Sequence, residues 1–189
     1  MTTTLIYVMG PSGAGKDSLL AWVKSRTPLA ARIAFARRTI TRAARPGDED
    51  HESVDEAAFE RLRDGGAFAL DWQANGLRYG IRETELVACG ANGVVVVNGS
   101  RAYLDVAAAR HPGLTVVHIT AGLDTLKQRL AQRGRETAAE VEQRVLRSLS
   151  FRPPSGISVF DIANDGALED AGASLQKLIL DAANAVSGE

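Results

Sequence analysis

The chain has 189 residues, a formal net charge of −1 and a single cysteine, with 45% apolar and 24% charged residues. These figures describe one ordinary globular domain with a sizeable core. They argue against a disulfide scaffold, a polycationic nucleic-acid binder and, with no long apolar run, a membrane-spanning protein.

The first ten residues, MTTTLIYVMG, lack the basic start and long apolar run of a signal peptide, and the lone Cys89 suits a reducing cytoplasm. TLIYVM, Thr4 to Met9, is a short β-branched and aromatic run that predicts a buried parallel strand. The glycine-rich GPSGAGKDS follows at Gly10 to Ser18. KDSLLAWVKSR then carries helical spacing at Leu19, Leu20 and Val23. From about Ala36 to Gly90 the character changes. Arginines cluster in FARRTITRAARPG, followed by the acidic DEDHE. SVDE, Ser53 to Glu56, reads as a capping box opening a helix through Arg63. FALDWQ and LRYGI flank Asn75-Gly76 as a hairpin. GVVVVNG, LTVVHIT and SVFDIA read as further core strands. Each precedes a helical pattern, at Arg101 to Arg110, Leu123 to Arg133 and Leu168 to Val186. Alternating strand and helix predicts an α/β fold with a parallel sheet flanked by helices. The expected organisation is one domain: a core of about 1–35 and 91–189, an inserted acceptor lobe of about 36–90, and an arginine-rich helical lid of about 133–150.

The loop carries the chemistry. Gly10, Gly13 and Gly15, with Pro11, Ser12 and Ala14 between them, let backbone N–H groups cradle phosphates at a helix N-terminus, and Lys16 adds a compact positive charge. This phosphate-loop pattern ends in Ser or Thr, whose hydroxyl holds magnesium. Here Asp17 stands in that place and Ser18 follows. A carboxylate is a stronger ligand for a hard cation. The core strand that ordinarily supplies a metal-binding acid ends in Asn98, so Asp17 reads as the magnesium ligand relocated into the loop. The alternative is a residue that only stabilises the first helical turn.

GPSGAGKDSLL, TITRAARPGDED, LRYG, LAQRGRETAAEVEQRV and IANDG follow in the order of the guanylate kinases, and nearly the whole chain resembles that family. The resemblance implies a P-loop kinase core, a lobe holding the phosphorylated acceptor and a closing lid. It implies that Arg42, Arg45 and Tyr79 grip the acceptor phosphate, that Arg133 and Arg144 stabilise the transferring group, and that Asn164 lies by the adenine of ATP. Arginine forks suit phosphate, and positive charge around the equatorial oxygens is what phosphoryl transfer needs. Arg129, Arg135 and Arg147 read as a solvated helix face.

The departures bear on the acceptor. Where guanylate kinases place a Glu that pairs with the guanine edge stands Leu70. An aromatic hydroxyl becomes Val54, and the strand acid becomes Asn98. A site that loses its polar base contacts loses discrimination for that base. GPSGAGKDS, GLRYG and VVVNGSRAYL resemble the ribose 1,5-bisphosphate phosphokinases, guanylate-kinase relatives of phosphonate breakdown, whose members carry His where this chain has Asn75. That resemblance implies ATP with Mg2+, a phosphorylated sugar as acceptor and 5-phosphoribosyl 1-diphosphate as product. Arg37, Arg38, Arg78 and Arg101 are then available for a second acceptor phosphate, with Asn98 and Arg101 on the acceptor side. DEDHE either meets ribose hydroxyls or is a solvated loop. A guanylate kinase is the nearest rival. A non-catalytic binding module is disfavoured by the intact Gly10, Gly15 and Lys16, and no N-K-x-D motif points to a GTPase. His51, His111 and His118 lack metal-ligand spacing, and Trp22, Trp72 and Cys89 read as packing residues.

Overall fold

The structure is a computed structural model and describes residues 3–28, 31–44, 49–90, 92–133, 151 and 157–187. A five-stranded parallel sheet runs in the order β2 (Ile33–Phe35), β7 (Val94–Asn98), β1 (Thr4–Met9), β8 (Thr115–Thr120) and β9 (Val159–Ala163). The four-stranded lobe sheet has the order β4 (His51–Ser53), β3 (Arg38–Ile40), β6 (Leu77–Arg82) and β5 (Phe68–Ala74). Its β3–β4 pair is parallel, and the other two pairs are antiparallel. The helices are α1 (Lys16–Arg26), α2 (Glu56–Asp64), α3 (Glu83–Leu86), α4 (Leu104–Arg110), α5 (Leu123–Arg133) and α6 (Leu168–Ser187). Among the described residues no helix is long and apolar enough to cross a membrane.

Strand alternation divides the core between the two faces of the parallel sheet. Ile6, Val8, Val94, Val96, Val117 and Ile119 pack with Leu19 and Val23 of α1 and with Leu175 and Ile179 of α6. The intervening Leu5, Tyr7, Met9, Val95, Val97 and Val116 pack with Leu104 of α4, and also with Ile40, Leu70, Trp72, Tyr79 and Ile81 of the lobe. The second apolar cluster therefore runs continuously from the sheet into the lobe. That seats the lobe face opposite the carboxyl ends of β1 and β7, where α/β folds place their ligands.

The predicted strands, the phosphate-loop helix and the Asn-Gly hairpin are all present. Asn75 and Gly76 both take positive φ, 52° and 72°, as a two-residue turn with right-handed twist requires. Two differences have local causes. Helix α2 begins at Glu56, and its cap is Asp55, whose side chain accepts from the Ala58 amide at 2.6 Å. Ser53 belongs to β4 and donates instead to the Arg42 carbonyl at 2.6 Å. Strands β2, β3 and β4 were not anticipated: three residues each carry no readable period, and they form by pairing with β7, with β6 and with β3 respectively.

Candidate active site

The loop between β1 and α1 is shaped by close backbone approaches. A Cβ on Gly10 would lie 2.2 Å from the Ile119 carbonyl oxygen. Gly15 caps α1 in the left-handed region at φ 83°, and a Cβ there would lie 2.5 Å from Asn164 Nδ2. No side chain caps that helix end from Gly15. The helix dipole favours negative charge at that end. Lys16 folds back over the loop and donates to the Gly10 carbonyl at 3.0 Å and the Pro11 carbonyl at 3.4 Å. Asn164, buried at the end of β9, donates to the Ala14 carbonyl at 2.7 Å across 150 residues of chain. Its carboxamide pins the loop from behind.

At the carboxyl end of β7, Asn98 is buried, and its Nδ2 donates to Asp17 Oδ1 at 2.7 Å and to Glu49 Oε2 at 3.0 Å. The strand-end position and the loop position are therefore neighbours, as the idea of an acid moved from one to the other requires. Arg38 of β3 pairs with Glu49 and lies 3.8 Å from Asp17. Its guanidinium stands 5.3 Å from the centroid of the Tyr79 ring. One amide and one guanidinium thus hold two carboxylates together, and they join the four-stranded lobe to the glycine-rich loop. Among the described residues no three His, Cys, Asp or Glu side chains group as a metal site by themselves. A kinase magnesium needs less than that: one or two carboxylates, waters and the phosphates of the nucleotide. Asp17 is half exposed beside Lys16, and Asn98 Oδ1 is a buried oxygen with no hydrogen-bond partner. This hard-oxygen donor set fits magnesium.

On the acceptor side, Tyr79 stacks on Trp72 with ring centroids 5.5 Å apart. Burial pushes its phenol upward, while the charges of Arg38 and Arg42 pull the other way. Arg42 follows β3, and its carbonyl is fixed by Ser53 and by His51 Nε2 at 3.3 Å. Arg101 opens a short 3-10 turn after β7. That turn is set by Tyr7, whose buried hydroxyl donates to the Ser100 carbonyl at 2.9 Å and accepts from the Ser100 amide at 2.8 Å. His118 on β8 is held 2.9 Å from Asp161, with its ring against Phe151. Burial pushes its pKa down; the Asp161 bond opposes this, and the positive charges of Arg101 and Lys16 reinforce it.

Asn98 meets Asp17, Arg38 lies between Asp17 and the Tyr79 ring, and Asn164 sits behind the loop. Arg45, Arg144 and the side chain of Arg133 lie outside the described residues, as do the expected lid at 134–150, Arg135 and Arg147. Two sequence expectations are corrected. Arg129 is not on a solvated face: its buried Nη1 lies 3.6 Å from where a Gly15 Cβ would stand. Leu126 and Leu130 pack α5 beside Gly13 and carry Arg129 in with them. DEDHE is not simply solvated either. Glu49 turns to Arg38 and Asn98, buried His51 lies 2.9 Å from the Glu49 carbonyl, and Glu52 accepts from Arg82 at 2.6 and 2.7 Å and from Thr39 at 2.7 Å. Those bonds hold the Glu52 carboxyl below its ordinary range, the Arg82 contact contributing most.

No protein-family model matches the chain. It is 48% identical over 177 residues to the ribose 1,5-bisphosphate phosphokinase PhnN of Burkholderia mallei, covering 93% of this chain and 94% of that protein. With the protein of the same name from Chromobacterium violaceum it shares 49% over 175 residues, 92% of each. The like-named Laribacter hongkongensis protein is 49% identical over 177 residues, but the match spans 42% of its length. Among solved structures, the guanylate kinase of Anaplasma phagocytophilum superposes with a TM-score of 0.60 at 16% identity, over 94% of this chain and 84% of that one. A sugar kinase from Janibacter sp. HTCC2649 superposes with a TM-score of 0.55 at 22% identity, over 98% of both chains. These last two likenesses establish the guanylate-kinase-like fold.

Proposed function

The chain belongs to the ribose 1,5-bisphosphate phosphokinase family, and on that premise we propose that it transfers the γ-phosphoryl group of ATP to the 1-phosphate of ribose 1,5-bisphosphate. The products are ADP and 5-phosphoribosyl 1-diphosphate. An oxygen of the 1-phosphate bonds to the γ-phosphorus as the bond from that phosphorus to the β–γ bridging oxygen breaks, and the electron pair leaves on ADP. The attacking oxygen is already anionic, so no side chain has to remove a proton. What the protein supplies is position and positive charge.

Amides from Gly13 to Lys16 receive the phosphates of ATP, with Ser12 and Ser18 alongside, and Lys16 exchanges its carbonyl partners in the loop for β- and γ-phosphate oxygens. Asn164 keeps the loop in shape while it does so. Arg42 and Tyr79 orient the 1-phosphate, joined by Arg45. Arg133 and Arg144 bring further charge to the equatorial oxygens on closure, which also excludes water. Asp17 would hold magnesium, with Asn98 behind it; bound there, the ion neutralises the β- and γ-oxygens. The setting is a reducing cytoplasm, and the place in metabolism is phosphonate breakdown.

One observation carries the choice of acceptor. Leu70, at the position where a guanine edge would be read, is fully buried in the lobe's core and offers a base no polar group. The test is ADP release with ribose 1,5-bisphosphate, GMP and ribose 5-phosphate side by side. The bisphosphate is expected to give the highest kcat/KM; a higher value with GMP overturns the reading.

A further inference from the structure

A bisphosphorylated acceptor brings two phosphates into the cleft, and the grip on the 1-phosphate occupies only one of them. The lobe's arginines differ in how they are committed. Arg37 points outward to Asp50 at 3.1 Å with its side chain about half exposed. Arg78 is held on α2 by Glu56 at 2.8 Å and Glu60 at 3.1 Å. Arg82 forks onto Glu52 at 2.6 and 2.7 Å. Each has a carboxylate partner on the lobe itself, away from the phosphate loop.

Arg38 differs: besides Glu49 on the lobe, it lies 3.8 Å from Asp17 on the loop. Its side chain is 13% exposed, and its buried Nε has no hydrogen-bond partner. Its ion-pair partner, Glu49, is shared with Asn98. Strand register shows where it stands. Arg38, Ile81 and Leu70 form one cross-strand row, and Ile40, Tyr79 and Trp72 form the next. Residues directly opposite in neighbouring strands share a face, as do positions i and i+2. Arg38 therefore lies on the same face as Tyr79 and one row along, with its guanidinium 5.3 Å from the Tyr79 ring centroid. That distance is on the scale of a furanose ring with one exocyclic carbon. A buried guanidinium with an unmet N–H is costly unless something completes it. A phosphate does so, with two oxygens meeting Nε and one Nη as a fork.

We propose that Arg38 binds the acceptor's distal phosphate, the one on C5, and that Glu49 is the placeholder it exchanges for that phosphate. The assignment rests on the bisphosphate reading above. It makes Arg38 a determinant of acceptor specificity, and it explains why the guanidinium is kept against Tyr79 and beside Asp17.

The test is binding of ribose 1,5-bisphosphate and of ribose 1-phosphate, which lacks only the distal phosphate, to the ADP-loaded protein by calorimetry. In R38Q the Kd for the bisphosphate should rise roughly 10- to 100-fold, the loss of one charged phosphate contact. The Kd for ribose 1-phosphate should rise far less, by about threefold at most, since Arg38 meets the 1-phosphate grip only through the Tyr79 ring. R38K, which keeps the charge without the fork, should fall between parent and R38Q for the bisphosphate alone. E49Q should tighten the bisphosphate, because an internal competitor for Arg38 is gone. Thermal melting and ADP affinity show whether each variant is folded, and R38K supplies the comparison if R38Q is not. An equal loss for both ligands, or for neither, overturns the assignment. Failure of the parent to phosphorylate ribose 1,5-bisphosphate would instead overturn the acceptor reading, and it is scored separately in the ADP-release assay.

Discussion

Asn98→Asp puts a carboxylate where the structure has an amide, and its cost follows from the neighbours. Asn98 Nδ2 donates at 2.7 Å to Asp17 and at 3.0 Å to Glu49. The substitution removes both hydrogen bonds, about 1 kcal/mol each. It also adds repulsion of about 4 kcal/mol for each like-charge pair at contact distance, taking an effective dielectric near 20. Arg38 and the half-exposed setting of Asp17 reduce that figure. A ceiling applies as well: one carboxyl can take up a proton, which costs about 1.4 kcal/mol per pH unit above its ordinary pKa near 4, or about 4 kcal/mol at pH 7. We therefore expect a loss of about 3 kcal/mol, a fall in Tm of roughly 6–12 °C for a domain of this size. An acid whose folded pKa is raised destabilises only above its unfolded pKa, and the penalty grows as pH rises towards the folded value. The deficit in Tm should thus be smaller at pH 5, where a protonated carboxyl can restore one of the two bonds, and full at pH 8. Magnesium should restore more of it than it adds to the parent. Melting curves at both pH values, with and without magnesium, test this. A variant within about 2 °C of the parent at pH 8, with no added response to magnesium, would refute the bridging role of Asn98.

Three further outcomes are expected. Asp17→Asn keeps the size but donates a neutral oxygen, so turnover should fall strongly and recover in part with raised magnesium or with manganese; parental rate and metal dependence would mean that Asp17 only stabilises the first helical turn. Asn164→Ala leaves the Ala14 carbonyl without its 2.7 Å donor, which should cost about 1–3 kcal/mol in stability and raise the KM for ATP more than that for the acceptor; an effect on the acceptor alone would show that the loop does not depend on it. His118 has a folded pKa below its ordinary value, chiefly through burial, so stability should decline as pH falls below about 6.5, where the unfolded chain takes up the proton first. His118→Phe should flatten that slope in part, since half-buried His111 is shifted in the same direction; an unchanged pH profile of melting would refute it.

What the amino-acid order determines alone is whatever chain neighbours enforce. The strand at Thr4–Met9, the loop glycines and the Leu19–Val23 spacing of α1 lie within 25 residues of one another, and each has a short-range physical cause. The Asn-Gly turn likewise sets its own hairpin. Asp17 was visible as an anomaly because the loop pattern has fixed spacing. Its partner was not. The hydrogen bond from Asn98 spans 81 residues, the one from Asn98 to Glu49 spans 49, and Asn164 reaches Ala14 across 150. Such meetings depend on strand order. Placing β7 beside β1 and the lobe sheet over both is decided by how two faces of apolar side chains are buried, and no local window contains that choice. For the same reason an acidic run and an arginine on a polar helix pattern read as solvated in one dimension. In three dimensions Glu49 lies against Arg38 because β4 pairs with β3, and Arg129 lies against the loop because Leu126 and Leu130 beside it are covered.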